Sequence, residues 1–146
     1  MGSRRPRLLE LFSGTGSVGL MAERLGWEVV SVDLDPTHSP TVCVDIRTWD
    51  PASTYGAFDW VHASPPCQEY SICKTRGERD LATANAISAK ARAIIDACIR
   101  KNPRLAFTIE NPATSLLKDQ PAVQGLHFLD TDYCCFGYPY RKSTRL

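Results

Sequence analysis

The stretch from Leu8 to Gly19, LLELFSGTGSVG, constrains this chain more than any other. A short apolar run breaks into G-x-G-x-x-G, and the periodic segment Val18 to Leu25 follows, closed by Gly26. Strand, tight turn and helix in that order open a βα unit. Glycines at 14 and 16 admit positive φ and let a ligand approach the backbone, and the helix start offers N–H groups. Glu28 to Val32 is β-branched and short, which predicts a second strand ended by Asp33.

The alternation continues. Thr41 to Val44 and Phe58 to Ala63 predict a third and a fourth strand, and Leu105 to Ile109 a fifth. Leu81 to Arg100 predicts a long Ala-rich helix with Ile87, Ala91, Ile94, Ile95 and Cys98 near one face. Ala113 to Leu117 predicts a short helix, and Leu126 to Phe136 should contain a sixth strand. The expectation is one α/β domain over residues 1–146, with a mostly parallel sheet and helices on both faces. In such sheets ligands bind beyond the carboxyl ends of the strands, so the loops after strands one to five open onto one edge.

Composition narrows the setting. Hydrophobic residues are 43% and charged residues 23%, the balance of an ordinary globular domain. No apolar run approaches the ~18–20 residues needed to span a bilayer. The basic N-terminus Met1 to Arg7 is too short and interrupted for a signal peptide, so an intracellular chain is expected, cytoplasmic or nucleoid-associated. The six cysteines form no C-x-x-C pair, which favours free thiols and no zinc or other metal site. A net charge of +1 does not mark a dedicated nucleic-acid binder. Two local basic clusters, Lys74, Arg76 and Arg79, and Arg141, Lys142 and Arg145, are either solvated surface or substrate contacts.

Each strand-end loop carries a chemically suggestive residue. Asp33 is placed to accept hydrogen bonds from ribose hydroxyls, with Asp35 a rival whose Asp-Pro context favours a turn. Asp45 can accept from an adenine amine or cap the following turn. In Ser64-Pro65-Pro66-Cys67-Gln68 two prolines stiffen the approach to Cys67, a candidate nucleophile or a small buried hydrophobe. Glu110-Asn111-Pro112 ends the fifth strand, beside the Cys67 loop if strands four and five are neighbours. A carboxyl there can serve as an acid, or it can simply favour a helix start.

Phe12-Ser13-Gly14-Thr15-Gly16, then Pro66-Cys67-Gln68, then Glu110-Asn111, in this order, resemble the cytosine-C5 methyltransferase family from about Leu8 to Tyr140. The resemblance implies a Rossmann-like S-adenosylmethionine-dependent methyltransferase fold. It also implies a cofactor site at Phe12, Ser13, Gly14, Thr15 and Gly16, with Asp33, Leu34, Asp45, Ile46 and Pro65. Cys67 would attack cytosine C6, Glu110 would hydrogen-bond N3, Asn111 would support them, and Arg141 or Lys142 would reach the substrate. The substrate implied is a single cytosine flipped out of DNA, with RNA as an alternative and a non-catalytic, partner-dependent subunit as another. A nicotinamide-dependent dehydrogenase explains the glycine loop but neither Pro66-Cys67-Gln68 nor Glu110-Asn111.

The segment Phe136 to Arg145 resembles the family's Gln-x-Arg-x-Arg region, with Tyr140 where Gln is usual and Lys142 and Thr144 where the arginines fall. The family continues with a reversed seventh strand, a target-recognition region and a closing segment. The expectation is therefore a sheet incomplete at its C-terminal end, with unpaired edges on strands five and six. Loose order or completion by a separate chain is favoured there, and the isolated chain is expected to be inefficient.

Overall fold

The computed structural model describes residues 4–51 and 55–146; the start of the basic N-terminus, Met1 to Ser3, lies outside the described residues. Five strands, β1 (Arg7–Leu11), β2 (Glu28–Asp33), β3 (Val42–Cys43), β4 (Trp60–Ala63) and β5 (Ala106–Ile109), form an all-parallel sheet in the order β3-β2-β1-β4-β5. Helix α1 (Ser17–Arg24) covers one face and α2 (Leu81–Lys101) the other. Alternation along β1 divides the faces. Leu9 and Leu11 join Val32, Val61, Ile94 and Ile95 in the main core, while Glu10 turns towards α1. The strand order reverses between β1 and β4, so a crevice opens at their carboxyl ends, where the glycine and cysteine loops lie.

The second half corrects the sequence reading. No helix forms over 113–117. Asn111–Pro112 is instead a two-residue strand, β6, followed by 3-10 turns at Leu116–Asp119 and Pro121–Val123. Two prolines in ten residues interrupt any helical hydrogen-bond ladder, and the Ser115 side chain accepts from Leu117 N, closing a turn. The sixth strand shrinks to β7 (Asp130–Asp132), and Tyr133–Phe136 is a 3-10 turn.

The expected open edge is found on β5, which pairs with β4 alone among the described strands, whereas the sixth strand, β7, is paired. Ser143–Arg145 forms β8, antiparallel to both β6 and β7 and lying between them. The reversed strand is thus present and begins inside the segment read as a basic tail. Charge obscured it: Arg145 forks onto Asp130 at 2.6 Å, and Thr144 between the two cations is buried. All six thiols are free. No helix among the described residues is long and apolar enough to cross a membrane.

Candidate active site

The glycine loop is shaped by backbone conformation. Phe12, Gly14 and Gly16 all have positive φ, at 59°, 50° and 69°. Nothing lies within 4 Å of a Cβ placed on Gly14 or Gly16, so open space faces the loop. Asp33 ties the loop to β2: its Oδ2 accepts from Gly14 N at 2.7 Å and its Oδ1 from Asp35 N at 2.8 Å. A carboxylate has about four acceptor positions, so roughly two remain for a ligand. Leu34 beside it is exposed, suited to the face of a ring.

One contributor escaped the sequence reading. Glu10, only 3% exposed, accepts from Gly19 N at 3.0 Å. Burial raises its pKa; hydrogen bonds from Gly19 and Val18 N–H oppose the rise, and Glu23 and Asp33 add to it. The N–H groups expected to greet a ligand at the α1 start are therefore partly held by Glu10 from below. A glutamate inside an apolar strand was the available signal.

Three of the other cofactor candidates have structural roles of their own. Asp45 caps the 3-10 turn Ile46–Thr48 and pairs with Arg47 at 2.6 Å, so the capping role is observed. Ile46 belongs to the core at 6% exposure, which removes its side chain from the pocket. Pro65 is buried, and its carbonyl accepts from Asn111 Nδ2 at 2.9 Å.

That last bond joins the cysteine loop to the end of β5. Glu110 N donates to Ala63 O at 2.8 Å, closing the β4–β5 ladder directly below both loops. Cys67 opens a turn in which Tyr70 N donates to its carbonyl at 3.1 Å. Tyr70 is fully buried and donates its hydroxyl to Asn85 on α2. Lys142 Nζ lies 3.7 Å from Glu110 Oε1 and 4.8 Å from the centre of the Tyr133 ring. Burial lowers the Lys142 pKa, but the Glu110 carboxylate, the Tyr133 hydroxyl and the Cys67 thiol outweigh it, and the net change is upward. Glu110 Oε1 is buried without a hydrogen-bond partner, as is Asn111 Oδ1. Cysteine, carboxyl and ammonium thus converge from three separate loops.

The other cations are engaged elsewhere. Arg141, largely exposed, pairs with Asp132 at 3.0 Å. Lys74 bridges to both Glu69 oxygens and Arg79 donates to the Glu69 and Ser71 carbonyls, so both hold the long loop together. Below the cysteine loop, His62 bonds to Ser64 Oγ at 3.0 Å and Thr108 Oγ1 at 2.7 Å. Burial lowers its pKa to about 4, so it is neutral at pH 7.

No family model matches this sequence, and no curated protein does. Solved structures do. A TehB-like SAM-dependent methyltransferase from Corynebacterium glutamicum superposes with a TM-score of 0.58 at 16% identity, over 99% of this chain and 82% of its own. The human methyltransferase 10 domain containing protein gives a TM-score of 0.55 at 15% identity, over 98% and 71%. The fold is that of the S-adenosylmethionine-dependent methyltransferases. A Pyrococcus horikoshii protein aligns at 18% identity with a TM-score of 0.46 over 80% of this chain, which spans 50% of that protein's length.

Proposed function

We propose that this chain is a cytosine-C5 methyltransferase acting on nucleic acid, with DNA the favoured substrate. The observation that carries the reading is the convergence of Cys67, Glu110 and Lys142 beside a glycine loop with open space in front of it. Nicotinamide chemistry would leave the cluster of Cys67, Glu110 and Lys142 without a role.

The residues present suit S-adenosylmethionine. Asp33 keeps acceptor positions for ribose hydroxyls, Leu34 offers an exposed apolar face, and Gly14 and Gly16 leave room for close approach. When bound, the cofactor supplies an electrophilic methyl group. Cys67 Sγ adds as thiolate to C6 of an extruded cytosine, while the Glu110 carboxyl, just past the end of β5, donates its proton to N3, so that the electron pair displaced from the C5–C6 double bond is taken up by the ring and becomes available at C5. Lys142 keeps a positive charge 3.7 Å from Glu110 Oε1, where it orients that side chain and offsets negative charge that develops on the ring during addition. After C5 is alkylated, loss of its proton to a base and departure of the Cys67 thiolate restore the ring. A separate polypeptide supplying a recognition surface is part of this proposal, since Lys74 and Arg79 are held within their own loop.

The test is covalent trapping. Incubated with S-adenosylmethionine and an oligonucleotide carrying 5-fluorocytosine, the protein is expected to form an adduct that maps to Cys67, because fluorine blocks the last elimination. Cys67→Ser should abolish it. An adduct that survives this change, or maps to Cys73, overturns the assignment. Matched DNA and RNA oligonucleotides distinguish the two substrates.

A further inference from the structure

Beneath the cysteine loop runs a line of polar side chains that the addition to cytosine does not use. Glu10 stands opposite His62, and His62 opposite Thr108, so all three turn to the α1 face of the sheet. Trp60 donates its indole N–H to Thr108 Oγ1 at 3.1 Å. Thr108 Oγ1 lies 2.7 Å from His62 Nδ1, and His62 Nε2 lies 3.0 Å from Ser64 Oγ. The Trp60 and His62 rings pack edge to face with centroids 5.8 Å apart, and His62 is buried.

Proton count gives this line a single direction. An indole nitrogen only donates, so Thr108 Oγ1 accepts from Trp60. The Thr108 hydroxyl proton has no acceptor within hydrogen-bond distance among the described residues other than His62 Nδ1. His62 is neutral at pH 7 and carries one ring proton. That proton is then on Nε2 and is donated to Ser64 Oγ. Ser64 keeps its own hydroxyl proton, directed away from His62. The residue is half-buried, and among the described residues no side chain other than His62 bonds to its hydroxyl.

Ser64 N donates to Leu11 O at 3.3 Å, which sets the residue in the crevice between β1 and β4. Ribose acceptors lie beyond β2, at Asp33, and the reacting groups Cys67 and Glu110 beyond β4 and β5. The part of S-adenosylmethionine between them, its sulfur and amino-acid tail, belongs over this crevice. That placement rests on the reading of Cys67 and Glu110 given above. The tail ends in a carboxylate, which needs donors, and the glycine loop has few to spare. Ser13 N donates to Val32 O, Gly14 N to Asp33, Gly16 N to Ser13 O, and the Val18 and Gly19 N–H groups to Glu10. We propose that the Ser64 hydroxyl donates to the carboxylate of the cofactor's amino-acid tail, and that His62 is the positioning residue that fixes it as a donor.

The test compares two ligands by calorimetry on the 146-residue chain. S-adenosylhomocysteine carries the carboxylate; 5′-methylthioadenosine keeps the adenosine and the sulfur but lacks the amino-acid tail. Ser64→Ala is expected to weaken S-adenosylhomocysteine about tenfold or more and to leave 5′-methylthioadenosine within about twofold. His62→Gln places an amide N–H near the Nε2 position and should keep most of the affinity. His62→Asn is too short to reach Ser64 and should behave as Ser64→Ala does. Nitrogen-15 NMR of the unliganded parent at pH 7 should show His62 protonated on Nε2 alone. Equal losses for both ligands, equal effects of Gln and Asn, a ring protonated on Nδ1, or a parent that binds neither ligand overturns the assignment. None of these readouts involves a methyl acceptor, so failure of the Ser64 contact and failure of the Cys67 adduct are read separately.

Discussion

Removing the Glu10 carboxylate should uncouple the start of α1 from the sheet. Glu10 is 3% exposed and accepts from the buried Gly19 N–H at 3.0 Å. Glu10→Ala leaves that donor without an acceptor, which costs about 1–3 kcal/mol, and deleting buried methylenes adds roughly 1 kcal/mol. Relief from holding a desolvated charge offsets part of this, so the net loss at pH 7 is about 2 kcal/mol by urea unfolding. Glu10→Gln keeps an acceptor of the same length and should stay within about 1 kcal/mol of the parent. The two proteins then separate with pH. A carboxyl whose folded pKa is raised by burial contributes most below its unfolded value, about 4.5, and less as pH rises through the folded value. The Gln variant, which carries no such group, should therefore gain on the parent from pH 4.5 upward. Glu10→Ala falling within about 0.5 kcal/mol of the parent, or the Gln variant losing ground as pH rises, would refute the reasoning.

His62 has the opposite sign: its pKa is lowered from 6.5 to about 4 by burial, so its stabilisation is complete above pH 6.5 and is lost as pH falls through 4. Against His62→Gln, the parent should lose on the order of 3 kcal/mol across that window, and parallel pH curves for the two would contradict it. Asp33→Ala should weaken S-adenosylmethionine binding by about 1.5–3 kcal/mol and also lower the melting temperature, because Gly14 and Asp35 lose their acceptor. Calorimetry showing tighter binding of a nicotinamide dinucleotide to the parent would reverse the cofactor choice. Lys142→Met should slow adduct formation on 5-fluorocytosine DNA by about tenfold or more with little change in unfolding, whereas Arg141→Met should affect it less. Equal effects from the two would remove the distinction drawn from their ion pairs.

The parallel half of the fold was legible in the sequence because its signals are local. An apolar run before Gly14 and Gly16, the β-branched Glu28–Val32 and the long Ala-rich helix each announce their element within a few residues, and β1, β2 and α2 appear within a residue or two of their expected ends. Cys67 and Glu110 could be placed on neighbouring loops for the same reason, since parallel strands with short connections bring their carboxyl ends to one edge.

The rest depended on contacts remote in sequence. β8 is three residues with two charged neighbours in its segment, and it exists because β6 and β7 hydrogen-bond it from both sides and Asp130 neutralises Arg145. No local pattern encodes that. Among three cations in five residues, only the packed turn selects Lys142 for Glu110 and sends Arg141 to Asp132. Ile46 likewise became core rather than pocket, because the side chains around it, not its own neighbours in the sequence, decide which way a turn residue points. Strand periodicity and turn chemistry act over a few residues and survive in the sequence. Ladder register, ion-pair choice and burial are sums over distant partners, and only the folded chain evaluates them.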